Sequence, residues 1–257
     1  MSTPNPYAAP RAPVADAAED PRNFVPAGRP VPASHGWSWI AEAWDLFKRQ
    51  PAVWIGIVVV GALVGFGLVF IPVMGWFAAT ALTPVFSAGI VIGSRTEDKG
   101  GDLRLSHLFA GFRERFGTLL SVGLIYLGLN VAMALIAGLT TGAGTWVLVG
   151  NIDPDTAARA GLALLLALLV WLALMLPVFM AIWFAAPLVV FHNQGPGEAM
   201  KNSFTACLRN VLPFLVYSVI ALLLAFIASI PLGLGWLVLG PVMAASLYTG
   251  YRDIFFE

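Results

Sequence analysis

The chain has 257 residues, of which 59% are hydrophobic and only 11% charged, and its formal net charge is zero. A soluble domain carries about 25% charged residues, so a water-soluble globule is excluded. Zero net charge likewise leaves no electrostatic footprint for a nucleic acid partner.

The few charges are clustered. No Asp, Glu, Lys or Arg occurs in residues 50–94, 116–152, 160–197 or 210–251. A bilayer-spanning helix needs about 20 apolar residues, so each stretch holds one or two. Together with a mean hydropathy of +0.83, this pattern predicts an all-α, polytopic membrane protein.

Residues 1–35 carry eight of the eighteen prolines among alanines and scattered charges. Such a composition buries too little apolar area to offset its ordering entropy, so a disordered tail is expected. Its "NPYAAP" (Asn5–Pro10) reads as extended tail or as a docking peptide for a protein partner. The tail has no apolar core of its own, which leaves the first spanning helix to direct insertion. Residues 36–257 then form the transmembrane domain.

"GWSWIAEAWDLFKRQP" opens that domain. Trp37, Ile40, Trp44 and Phe47 fall on one helical face, with Glu42, Asp45, Lys48 and Arg49 opposite. A short Trp-rich helix before a span suits the membrane interface, where indole rings sit at headgroup depth. Spanning helices are expected at about 52–70 and 76–94, turning at Pro72 and Gly75. "LSHLFAGFRERF" follows, with Leu105, Leu108, Phe109, Phe112 and Phe116 on a second apolar face. A third span is expected at about 117–138 and a fourth at about 162–190. Before the fifth, Met200, Phe204, Cys207, Leu208 and Val211 make a third apolar face. Spans at about 211–229 and 233–251 close the chain.

Thirteen of the fourteen Lys and Arg residues fall on one side of this arrangement, and Arg159 alone on the other. By the positive-inside rule both termini are expected in the cytoplasm. The chain then reads as one unit used three times: a cytoplasmic amphipathic helix followed by a spanning hairpin. "TPVFSAGIVIGSR" (Thr83–Arg95) and "GPVMAASLYTGYR" (Gly240–Arg252) share Pro, Val, Ala, Gly and Arg at matching positions, which supports an internal repeat.

No Asp, Glu, Lys, Arg or His lies within any expected span. Proton-coupled carriers use such residues as relays, and intramembrane proteases need Ser/His, Asp/Asp or HExxH sets at membrane depth. Headgroup transferases hold a divalent metal with several carboxylates. The reading is therefore non-enzymatic, with no cofactor and no metal. "NIDPD" (Asn151–Asp155) resembles the opening of a calcium loop but lacks its later Gly and Glu; Asp155 and Thr156 serve equally as a helix cap. "RTEDKGGD" (Arg95–Asp102) reads as solvated loop. His35, His107 and His192 lie near one face without metal-ligand spacing. Cys207 reads as a small apolar residue, with a reactive thiol as the alternative.

The residues open to a cavity or hinge role are Asn130, Tyr126, Pro84, Pro187 and Pro241. Asn130, one turn from Tyr126, bridges to a neighbouring helix or lines a cavity. The prolines remove backbone donors inside helices, as Pro177 also does, giving kinks or, in transporters, binding-site breaks. Pro84 and Pro241 each stand roughly 16 Å from the arginine ending their helix. Small-xxx-small pairs Gly61/Gly65, Gly89/Gly93 and Ser246/Gly250 permit close packing within the bundle or in a homo-oligomer.

On "GWSWIAEAWDLFKRQP", on Ala186, Pro187, Leu188, Val189, Glu198, Ala199, Met200, Lys201 and Ser203, and on "GPVMAASLYTGYRDIF", the chain resembles a proteobacterial inner-membrane family. That family is distantly similar to YciC-like proteins and to the membrane domain preceding some glycerophosphodiester phosphodiesterases. The resemblance runs from about residue 36 to the end. It implies six helices and an inner-membrane location, and no activity. Function is then expected through lipid or protein contacts, with small-molecule or lipid transport as the alternative.

Overall fold

Helix α1 (His35–Arg49) forms where apolar residues recur every three or four positions, and Lys48 and Arg49 occupy its last turn, where cations favour the helix dipole. Pro51 then opens α2 (Pro51–Val69), at a position whose backbone donor no helix needs. The computed structural model describes residues 23–148 and 154–257. In chain order there follow α3 (Met74–Asp98), a 3-10 helix (Leu105–Phe112), α4 (Phe116–Leu148), α5 (Pro154–Trp183), α6 (Ala185–His192), α7 (Pro196–Arg209), α8 (Val211–Ser229) and α9 (Trp236–Phe255). The described residues are all-helical apart from turns and one isolated bridge, Phe24 to Phe256.

Five helices among the described residues are long and apolar enough to cross a membrane: Pro51–Val69, Met74–Asp98, Phe116–Gly138, Gly161–His192 and Val211–Ser229. They match the first five expected spans. The sixth is present as α9 but is not among them, because its last turns carry Tyr248, Thr249, Tyr251, Arg252 and Asp253. Those turns are buried in protein.

The 3-10 helix and α4 lie against α3; α7 lies against α5; α1 lies against α8 and α9; and α2 also packs on α9. Glycines set the closest approaches. A Cβ on Gly123 would stand 1.8 Å from the Ala81 carbonyl oxygen, and one on Gly111 2.0 Å from that of Val85. Gly89 faces the Leu108 backbone and Gly250 the Trp39 ring, whereas Gly61 and Gly65 meet nothing.

Several expected faces are rotated. In α1 the buried stripe is Trp39, Ile40, Ala43, Leu46 and Phe47, while Trp37 and Trp44 are 54% and 43% exposed. In α7 it is Ala199, Met200, Ser203, Ala206 and Cys207; Leu208 and, at the start of α8, Val211 point outward. The stretch expected as an amphipathic α-helix is a 3-10 turn that buries only Leu108 and Gly111. Phe109, Phe112 and Phe116 remain exposed as a row of ring contacts. In each case small residues, invisible to a hydropathy stripe, occupy the tightest contacts.

The expectation of a disordered tail through residue 35 is corrected from Asn23 onward. Val25 N–H donates to Phe255 O at 2.8 Å and Arg29 N–H to Ile254 O at 2.8 Å. The Val31 N–H meets Asn210 Oδ1, and Arg209 Nη1 donates to Gly28 O. This strap offsets its ordering cost with specific hydrogen bonds, which a composition argument does not see. Asn5–Pro10 lies outside the described residues.

Candidate functional site

The densest polar chemistry gathers at the ends of α3 and α9, under α1. Because α9 is helical through Phe255, residues 248–253 fan out over a turn and a half and reach different neighbours. Arg252 bridges two carboxylates: Nη2 meets Glu42 Oε2 at 2.8 Å, and Nη1 binds Asp98 Oδ2. Tyr248 donates its hydroxyl to the same Asp98 oxygen at 2.9 Å. Asp253 accepts from Trp39 Nε1 (2.8 Å) and from Arg29 Nη2 (3.1 Å), and pairs with His35 Nδ1 (2.8 Å). Thr249 donates to the Trp39 carbonyl at 2.7 Å, and Tyr251 Oη lies 2.6 Å from His192 Nε2. Phe24 of the strap stacks on the His192 ring.

A second knot adjoins it. Glu97 is 1% exposed; its Oε2 accepts from Trp54 Nε1 at 2.8 Å, and its backbone carbonyl accepts from Arg49 Nη1 at 3.0 Å. Glu97 and Asp98 were expected in solvated loop. They instead extend α3 by a turn and are drawn inward by Trp54 and Arg252. The signal available in the sequence was one late-helix cation, Arg252, with two carboxylates to meet, Asp98 and Glu42, at separations too long to register without a fold.

A third feature is the break between α5 and α6. Phe184 leaves helical geometry, and its N–H donates to Ser203 Oγ at 2.9 Å instead of to Met180 O. Ser203 in turn donates to Met180 O at 2.6 Å, so one hydroxyl of α7 is inserted into the helix ladder. Pro187, three residues on, can offer Trp183 O no N–H, which makes this the place where the helix yields. Cys207 Sγ also approaches Met180 O, at 3.6 Å. Burial pushes that thiol up to about 12, against a smaller lowering from Ser203. That chemistry is inert rather than nucleophilic.

The remaining sequence-chosen residues are dispersed. Asn130 donates to Tyr126 O of its own helix at 2.8 Å, and both residues are half-buried. Pro84, Pro187 and Pro241 are buried between helices, while Pro177 is exposed. His35 and His192 belong to the α9 cluster, and His107 accepts from Arg104 N–H at 3.1 Å. No group of three or more His, Cys, Asp or Glu able to hold a metal occurs among the described residues. The Asn151–Asp155 reading lies outside the described residues and side chains.

Two apolar clefts flank α8. One, of about 300 Å³, separates α8 from α5 and is lined by Phe179, Met180, Trp183, Phe214 and Tyr217 among others. The other, of about 620 Å³, lies between α1, α8 and α9.

Over 228 residues the chain is 27% identical to a protein of Burkholderia thailandensis named a probable inner membrane protein, covering 85% of this chain and 82% of that one. No family model and no solved structure matches. Likeness at that level, with five apolar helices, places the chain among integral membrane proteins.

Proposed function

We propose that this is a six-helix bacterial inner-membrane protein, with both termini in the cytoplasm, that acts through lipid and protein contacts and catalyses no reaction. The observation that carries the reading is the use made of its polar groups. Arg252 is engaged with Asp98 and Glu42, and Asp253 with Arg29 and His35, where α1 and the strap cover the ends of α3 and α9, which is how a scaffold spends charge.

Several finer points belong to the same reading. α9 serves as the sixth span, its polar turns shielded by α1 and the strap. The three-unit repeat is supported by the packing order, since the 3-10 helix follows and packs on α3, α7 does so on α5, and α1 closes the ring on α9. Membership of the family related to YciC-like proteins accords with the position of Ser203, which belongs to the shared pattern and holds the α5–α6 break.

The test combines topology with interaction. In a Cys207→Ala background, single cysteines near residues 2, 72, 232 and 257 are labelled from either side of the membrane; the reading expects 2 and 257 on the cytoplasmic side and 72 and 232 opposite. Proteins and lipids that copurify with the full chain are then compared with those of a chain lacking residues 1–22. Catalytic turnover, or a split between the termini, refutes the reading. The α5–α6 break favours one alternative, a transporter, because interrupted helices accompany binding sites in transporters. Solute flux abolished by Pro187→Ala, with insertion intact, selects it.

A further inference from the structure

We propose that the groove beneath α1 is a binding site for one phospholipid whose zwitterionic headgroup carries a primary ammonium. This rests on the contact-based reading above and names the lipid class.

The groove exists because of how α1 is seated. Trp39 is driven between α8 and α9: its ring lies 5.1 Å from that of Phe214 and 6.0 Å from that of Tyr217, and packs against Gly250. The two legs are thereby held apart at the α1 end. At the far end they are pinched, because a Cβ on Gly235 would stand 2.5 Å from the Ala228 Cα. A wedge-shaped space of about 620 Å³ results, open to the side, with Leu224, Ala228, Val238 and Leu239 among its walls.

Three observations identify the occupant. The space borders the exposed apolar face of α8, where Leu223 and Phe226 project, so it is continuous with the hydrocarbon of the bilayer. Trp37 and Trp44 overhang the α1 end, and indoles settle at headgroup depth. An acyl chain below them therefore runs along the groove toward the Pro231 turn. Finally, Asp45 lines the mouth and pairs with Lys48 at 2.7 Å, both largely exposed. A carboxylate and an ammonium side by side complement a headgroup holding an ammonium and a phosphate. They do not complement a headgroup that is only anionic, and a primary ammonium, unlike a quaternary one, has N–H groups to donate to the Asp45 carboxylate.

The experiment uses the full chain in nanodiscs with phosphatidylethanolamine, phosphatidylcholine or phosphatidylglycerol, each carrying a diazirine in one acyl chain. The expected result is preferential crosslinking of the phosphatidylethanolamine probe to peptides covering 37–48 and 224–242. Asp45→Lys lowers that crosslinking roughly twofold to fivefold, as loss of one exposed charge pair allows. Val238→Trp fills the groove and removes it, and protection of Cys207 from maleimide confirms that this variant is folded. Leu224→Trp, on the facing wall, repeats the measurement if Val238→Trp does not fold. Equal labelling by all three probes, labelling that survives both fillings, or a protein–protein crosslink through these peptides overturns the proposal. If labelled lipid appears on other faces but not here, this site fails while the lipid-contact reading stands; if no lipid or protein contact survives purification, both fail.

Discussion

Replacing Ser203 by alanine tests the α5–α6 junction most directly. The hydroxyl accepts from Phe184 N–H at 2.9 Å and donates to Met180 O at 2.6 Å, and Ser203 is fully buried. Removing it orphans a buried donor, at about 1–3 kcal/mol. The Met180 carbonyl retains only the weak contact to Cys207, so the net cost is set near 2 kcal/mol by the donor. Such a loss raises local opening about thirtyfold. The single cysteine makes this measurable. With its thiol pushed up to about 12, Cys207 reacts with maleimide at pH 8 only when the junction opens. Ser203→Ala should accelerate labelling by about ten- to thirtyfold, whereas Thr205→Ala, which loses only an exposed bond to Lys201 O, should not. Labelling of Ser203→Ala at the wild-type rate, with unchanged thermal stability, would refute the inserted-hydroxyl account.

Three further outcomes are expected. A double-mutant cycle in mixed micelles should give Arg252 and Asp98 a coupling of about 1.5–3 kcal/mol, since that pair is mostly buried and shares Tyr248. Arg252 and the more exposed Glu42 should couple by less than about 1 kcal/mol. Gly123→Ala should cost about 1–3 kcal/mol by pushing α4 off Ala81, whereas Gly128→Ala on the same helix, which meets nothing, should be neutral or mildly stabilising in thermal unfolding. His107 is held below its ordinary value by burial and by Arg104. The folded state therefore binds the proton less readily than the unfolded one, and stability present above about pH 6.5 is lost as pH falls through the folded value. Hydrogen-exchange protection factors across 103–112, which divide out the intrinsic pH dependence of exchange, should fall from pH 7.5 to pH 5, and His107→Asn should flatten the dependence.

Hydropathy alone located the first five spans to within a few residues, because length and apolarity are what a bilayer selects. α9 was equally visible as a helix. It was expected as a sixth span, but it falls short of the other five in apolarity, because Arg252 and Asp253 count against it whatever their partners. The faces of α1 and α7 were misassigned for a related reason: Ala43, Gly250, Ser203 and Ala206 matter for being small, and a hydrophobic stripe weighs only the large. Most of the polar cluster was legible as residue types and illegible as a site. Arg29, Glu42, Asp98 and Asp253 come from four distant segments, and only the fold adds them together.

The seat of α1 has a consequence for the order in which the protein is made. Trp39 is held by Thr249, 210 positions later in the chain. At roughly 5–20 residues per second, a ribosome takes about 10–40 s to cover that interval. Until α8 emerges near the end of that interval α1 lacks both of its main partners, and its buried stripe must rest elsewhere, on the membrane surface or on a chaperone. The 3-10 helix and α4 can pack on α3 as they emerge; α1, like α2, waits for α9. This early helix is thus among the last to be placed, and a nascent chain stalled before α9 exposes a tryptophan-rich helix that marks it as unfinished.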